Sequence, residues 1–159
     1  MKKTLLSIMT MAILASGSAN AVPVDKDIIV EAKVVTAIKV TKDNGHVLDT
    51  VKMKYDPVQN DGNFTYTEKI KFASIGGTKI KISLREAFEM NDTSNTKKFT
   101  DYKIDIDGDE LTHTGGVKTF GLTNQKFSGD LNINAKQPAD AADGEVYNGV
   151  LKLALEAEA

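Results

Sequence analysis

Phe64-Thr65-Tyr66-Thr67-Glu68-Lys69-Ile70-Lys71-Phe72 places Phe64, Tyr66, Ile70 and Phe72 on one side of an extended chain and Thr65, Thr67, Lys69 and Lys71 on the other. A repeat of two is that of a β-strand, whose side chains point alternately to its two faces. This stretch therefore predicts a strand with one face buried and one face wet.

The same alternation recurs on either side of it. Ile80, Ile82 and Leu84 oppose Lys79, Lys81 and Ser83; Tyr102, Ile104 and Ile106 repeat the spacing, as do Leu131 and Ile133. The chain closes with Leu151, Leu153 and Leu155 against Lys152, Ala154 and Glu156. Gly76-Gly77, Asp107-Gly108 and Gly115-Gly116 supply turns between these segments. Leu84 to Met90 is the one candidate for a helix, and Asn91 to Lys98 reads as a polar loop. Many short antiparallel strands around one core predict an all-β fold, a β-sandwich. No internal repeat, low-complexity tract or interdomain linker interrupts the pattern.

At the N-terminus Lys2 and Lys3 precede an apolar run from Leu5 to Ala15 and the small-residue segment Ser16 to Ala21. This is the pattern of a secretory signal peptide over residues 1–21, and the run falls well short of the about 20 residues that span a bilayer. Cleavage after Ala21 leaves residues 22–159, enough for one domain. It also removes two of the 20 basic residues and none of the 22 acidic ones, so the mature net charge becomes −4. Charges of both signs are interspersed and no basic patch forms, which argues against nucleic acid as a partner. The chain has no cysteine, so an exported fold must draw its stability from core burial or from association with another chain.

Catalytic and metal chemistry find little to stand on. Asp105-Ile106-Asp107-Gly108-Asp109-Glu110 superficially suggests a calcium loop. With Gly108 at the sixth position, however, Lys103 and Thr114 fall where the first carboxylate and the bidentate Glu belong, so a hairpin turn is the better reading. His46 and His113 lack metal-type spacing and read as surface or turn residues. No nucleophile elbow, zinc-protease motif or phosphate loop is present, so neither enzymatic activity nor a cofactor is expected. Asn63-Phe64-Thr65 and Asn91-Asp92-Thr93 match a glycosylation pattern too short to be informative on a bacterial export route.

Behind the cleavage site, Val24 to Val34 puts Ile28, Val30, Ala32 and Val34 on one face of a strand with a free end. Four apolar side chains in register at a terminus require something to cover them. From the pattern alone, this strand either pairs within its own sandwich or is covered by another chain.

The segment Val24-Asp25-Lys26-Asp27-Ile28-Ile29-Val30-Glu31-Ala32 resembles the mature N-terminus of pilins of the colonization factor antigen I type, a chaperone-usher alpha-fimbrial group. Their heads follow Val-x-Lys-x-Ile-x-Val-x-Ala, matched by Val24, Lys26, Ile28, Val30 and Ala32. Gly144 to Leu151 is similar to the Gly-x-Tyr-x-Gly-Val segment that opens the last strand in this group. Val51 to Pro57 resembles a lysine-tyrosine-proline segment of its second strand, and the absence of cysteine agrees. Two departures stand out: Val22-Pro23 precedes the matching head, and Val35-Thr36 follows it where related pilins often carry proline, so no hinge role of a proline is carried over.

The resemblance implies an incomplete immunoglobulin-like β-sandwich, residues 36–159, completed by a donor strand from a neighbouring subunit. Residues 22–35 would be that donor extension, with Ile28, Val30, Ala32 and Val34 facing inward. Tyr147, Gly149, Leu151, Leu153 and Leu155 would form the acceptor groove and the last strand that pairs with a periplasmic chaperone. The remaining implied partners are identical pilin subunits in a filament, an outer-membrane usher and a tip adhesin, on a route through the periplasm to a surface fimbrium. Tyr147 reads equally as an ordinary core aromatic, and Gly149 as a bulge or a close backbone approach. The alternative reading is a fimbrial adhesin or carbohydrate-binding module, and a small periplasmic enzyme or inhibitor is a third. An adhesin of this kind is normally longer, has a second domain and needs no donor head. Arg85 is the sole arginine and aromatic residues are scarce, so no glycan pocket is visible in the sequence.

Overall fold

The computed structural model describes residues 37–55, 57 and 61–159, so the signal peptide and the donor extension expected from the sequence lie outside the described residues. Eleven strands and no helix make up the described part: β1 (Ile38–Lys42), β2 (Lys54–Tyr55), β3 (Asn63–Ser74), β4 (Lys79–Leu84), β5 (Asn91–Asp92), β6 (Thr100–Ile106), β7 (Asp109–Glu110), β8 (Lys118–Gly121), β9 (Lys126–Lys136), β10 (Tyr147–Asn148) and β11 (Leu153–Glu158). They form a six-stranded antiparallel sheet in the order β1-β3-β9-β6-β7 with β2 beside β3, a three-stranded sheet β11-β4-β8, and the small pair β10-β5.

The two larger sheets close on one another through the alternate positions that the sequence marks as apolar. Ile70 and Phe72 of β3, Ile104 and Ile106 of β6, and Leu131 and Ile133 of β9 meet Ile80, Ile82 and Leu84 of β4 and Phe120 of β8 in one buried cluster. Rings fasten the layers: Phe127 of β9 stacks on Phe120 with centroids 4.7 Å apart, and on Phe72 at 5.9 Å. The opposite face of the first sheet is polar, and there Thr67, Asn132 and the buried Asp105 are hydrogen-bonded in a row across β3, β9 and β6.

Asp107-Gly108 makes a tight hairpin between β6 and β7, with φ of 52° and 86°. Positive φ at both central residues is the turn whose twist matches a right-twisted hairpin, which is why glycine follows aspartate here. Asp105 accepts the Gly108 amide at 3.0 Å and Asn132 Nδ2 at 2.8 Å, so its carboxylate serves the turn and the sheet.

Three expectations need correction. Leu84 to Met90 is not helical: β4 ends at Leu84, and the chain then runs irregularly along the strands it crosses. Local helix propensity loses to tertiary anchors. The Arg85 amide donates to the Lys152 carbonyl at 2.9 Å, Phe88 packs edge-on against Tyr102, and the Met90 amide donates to the Tyr102 hydroxyl oxygen at 2.7 Å. Asn91 to Lys98 is a loop that begins as a strand, since Asn91–Asp92 pair with β10. Tyr147 and Gly149 do not open the last strand. Tyr147 belongs to β10, and Gly149 and Leu151 lie in the crossing that precedes β11. That crossing forms because β10 must reach β5 before the chain can turn back to pair with β4.

Candidate functional site

β1 and β11 stand at the edges of their sheets, one in each layer. β1 pairs with β3 from Ile38↔Ser74 to Lys42↔Ile70, and β11 pairs with β4 from Leu153↔Leu84 to Glu158↔Lys79. Ile75 to Thr78 joins β3 to β4, and along it the Ile75 amide bonds the Ala37 carbonyl and the Thr78 amide the Glu158 carbonyl. The start of β1 and the end of β11 therefore share one pole of the sandwich, and the two strands run in opposite directions.

Between them lies an apolar groove of about 1130 Å³. Val40 of β1 and Leu153 and Leu155 of β11 are its walls, and Leu131 and Ile133 of β9 lie at its floor. Leu151, Leu153 and Leu155 share this lining, but each stays half-buried, whereas Ile80 and Ile82 on the neighbouring strand are fully buried. Alternate leucines left half-wet on an edge strand mark a core surface that is not fully covered.

The far half of the groove is aromatic, a feature that sequence reading missed. Tyr55, Phe64, Phe99 and Tyr147 form a chain of rings, with successive centroids 5.3, 5.3 and 5.0 Å apart, the last two contacts edge-on. Met53, Phe88 and Met90 complete this half. These residues come from β2, β3, three loops and the crossing, so no single alternating run announces them. The only local signal is the clustering of aromatic and methionine residues next to turn residues.

The crossing, residues 137–152, forms a wall of this aromatic half. Tyr147 and Gly149 turn toward the body: the Tyr147 ring meets Phe99, and a Cβ at Gly149 would collide with the Glu89 carbonyl. Glycine is thus required there by close backbone approach, and Tyr147 is a half-buried packing aromatic. Lys97 latches the crossing, with its ammonium 2.7 Å from Glu145 Oε1 and 2.7 Å from the Asp140 carbonyl. Glu145 also accepts the Ala142 amide at 3.0 Å and the Tyr147 hydroxyl at 2.8 Å. The Lys97 contact, then the Ala142 amide and the Tyr147 hydroxyl, hold the Glu145 carboxyl at about 2 instead of its ordinary 4.5. Desolvation, followed by the Glu145 contact, pushes Tyr147 up to about 12.

A depressed carboxylate stabilises the fold above its ordinary pKa, and that contribution disappears as pH falls through the folded value. The latch is expected to be whole above pH 4.5, to weaken as pH falls, and to be gone below about 2. Hydrogen exchange at the Tyr147 and Asn148 amides should follow this course, and Glu145→Gln should flatten it; identical profiles in both proteins would refute the assignment.

Ile28, Val30, Ala32 and Val34 lie outside the described residues. Among the described residues, no group of three or more His, Asp or Glu side chains could hold a metal ion.

An antiparallel sandwich with an apolar groove open between two edge strands is the build of a pilin, a subunit of surface fibres. The fold is similar to that of the CooA pilin subunit from enterotoxigenic Escherichia coli, with a TM-score of 0.57 and 18% identity over 75% of this chain and 86% of that one. At that identity the likeness speaks for the fold, an immunoglobulin-like sandwich. The chain belongs to the CS1 type fimbrial major subunit family, whose sequence profile matches residues 24–156. No curated protein sequence matches it. The resemblance to colonization factor antigen I pilins is thereby borne out. The chain is a structural subunit that polymerises with other pilin subunits into a surface fimbrium, the kind of fibre that serves adhesion.

Proposed function

We propose that the subunits join by donor-strand exchange, residues 22–35 of one entering the groove of the next, and that the protein's role is structural and not enzymatic. The observation that carries this reading is the pair of facing edge strands β1 and β11 with half-buried leucines between them. The lengths are comparable: at about 3.3 Å per residue the six residues of β11 extend roughly 20 Å and the seven from Ile28 to Val34 roughly 23 Å. The inserted strand bonds to the open edges while Ile28, Val30, Ala32 and Val34 meet the floor, which is β-augmentation between chains. Each subunit gives a strand at one site and accepts one at another, so the contact is heterologous and extends into a filament.

Before assembly the open groove is an aggregation hazard, and a periplasmic chaperone covers it with a strand of its own until an outer-membrane usher exchanges that strand for the next subunit's head. A tip adhesin ends the fibre. Residues 1–21 direct the chain to this route and are removed. The test is to produce residues 22–159 with and without a matching chaperone. A soluble one-to-one complex is expected with the chaperone and aggregation without it; a stable monomer with no chaperone would end the proposal.

A further inference from the structure

Among the described residues, the large apolar side chains that stand most open to solvent include Ile75, 53% exposed, and Val146 and Val150, 61% and 69% exposed. Their positions are complementary. Ile75 sits at the pole where β1 begins, its amide on the Ala37 carbonyl at 3.1 Å. Val146 and Val150 sit on the crossing at the opposite end of the groove and line its mouth, while Tyr147 and Gly149 between them pack inward.

Resting on the strand-exchange reading, we infer that Ile75 of each subunit packs against Val146 and Val150 of the subunit that receives its N-terminal strand. The occupant is a second copy of this chain, and the tether decides where that copy can lie. Val34 and Ala37 are three residues apart, at most about 11 Å of extended chain. With Val34 seated in one groove, the donor's Ala37, and Ile75 bonded to it, must lie just outside that groove's mouth.

Which mouth follows from the acceptor's own geometry. Its head departs from the pole of Ala37, so a strand leaving there would crowd two bodies at one pole and stop extension. A strand running antiparallel to β11 leaves at the other end, past Val146 and Val150, and sets successive bodies pole to pole. The exposed isoleucine of the donor then meets the exposed valines of the acceptor, and both apolar surfaces leave water together.

The absence of native cysteine makes the contact testable by cross-linking. Fibres carrying Ile75→Cys with Val146→Cys, or Ile75→Cys with Val150→Cys, are to be oxidised mildly and run without reductant. A ladder of covalent dimers, trimers and higher multiples is expected from at least one pair. None is expected from Ile75→Cys with Glu110→Cys, since Glu110 is on β7 at the far edge of the first sheet. Fibres that form normally yet give no ladder from either valine pair overturn the contact and leave strand exchange standing; strand exchange is tested separately, by Val30→Asp, and fibres from that variant would overturn it. If a cysteine pair blocks assembly, Ile75→Lys and Val150→Glu replace it. Each alone should lower the denaturant concentration at which fibres come apart, and the two together should restore it. Equal resistance in all three variants overturns the inference.

Discussion

Cells producing the Val30→Asp subunit are expected to carry no fibres, while the subunit's complex with its chaperone should be recovered in normal amount. The expectation follows from what the groove offers. Its floor is Leu131 and Ile133 and its walls are Val40, Leu153 and Leu155, all apolar, and among the described residues the one cation in the lining, Lys52, is solvent-exposed on the loop before β2. The substitution loses about 1.5–3 kcal/mol of valine burial and adds several kcal/mol for desolvating an unpaired charge. Each 1.4 kcal/mol is about tenfold in affinity, so every joint weakens by roughly a thousandfold or more. A polymer held by one such joint per subunit does not survive that loss. On the strand-exchange proposal the chaperone complex does, because there the chaperone's strand would fill the groove and Val30 would not be used. Electron microscopy of the cell surface and affinity recovery of the complex measure the two halves, and fibres of ordinary length and number would refute the donor assignment.

A second large effect is expected from moving residues 22–35 behind Ala159 through a short flexible linker. β11 ends at Glu158, at the pole from which a strand antiparallel to it would enter the groove, so the relocated segment can fold back as a hairpin. The donor then sits at millimolar effective concentration in its own groove. A soluble monomer with a cooperative, reversible melt should result, while residues 36–159 alone aggregate. Size-exclusion chromatography and thermal denaturation decide the matter. A well-behaved monomer from residues 36–159 with the same melting temperature would show that no strand is missing.

The core strands were legible in the sequence because a half-buried strand writes its environment at every second residue. Ile70 and Phe72, Ile80 and Ile82, and Leu131 and Ile133 are all buried where alternation placed them. The short strands were not, since two residues such as Lys54–Tyr55 or Asn91–Asp92 cannot carry a period. Leu84 to Met90 misled because its anchors, Tyr102 and Lys152, are distant in sequence. The groove divides in the same way. Leu153 and Leu155 stand in the alternating run of the last strand, whereas the aromatic half brings together Tyr55, Phe64, Phe99 and Tyr147, which only folding makes neighbours. Tyr147 and Gly149 anchor the crossing wall, the ring on Phe99 and the glycine against the Glu89 carbonyl, and do not open the last strand.

The pairing of β1 with β3 has a mechanical consequence for a fibre built in this way. A pull on the filament passes from one groove through three residues into Ala37 and so along the axis of β1. Antiparallel hydrogen bonds lie across the strands, so this load shears the rungs from Ile38↔Ser74 to Lys42↔Ile70 all at once instead of peeling them one by one. Five short rungs sharing a force yield far later than the same five opened in sequence, and a noncovalent thread can thus bear tension without a single cross-link.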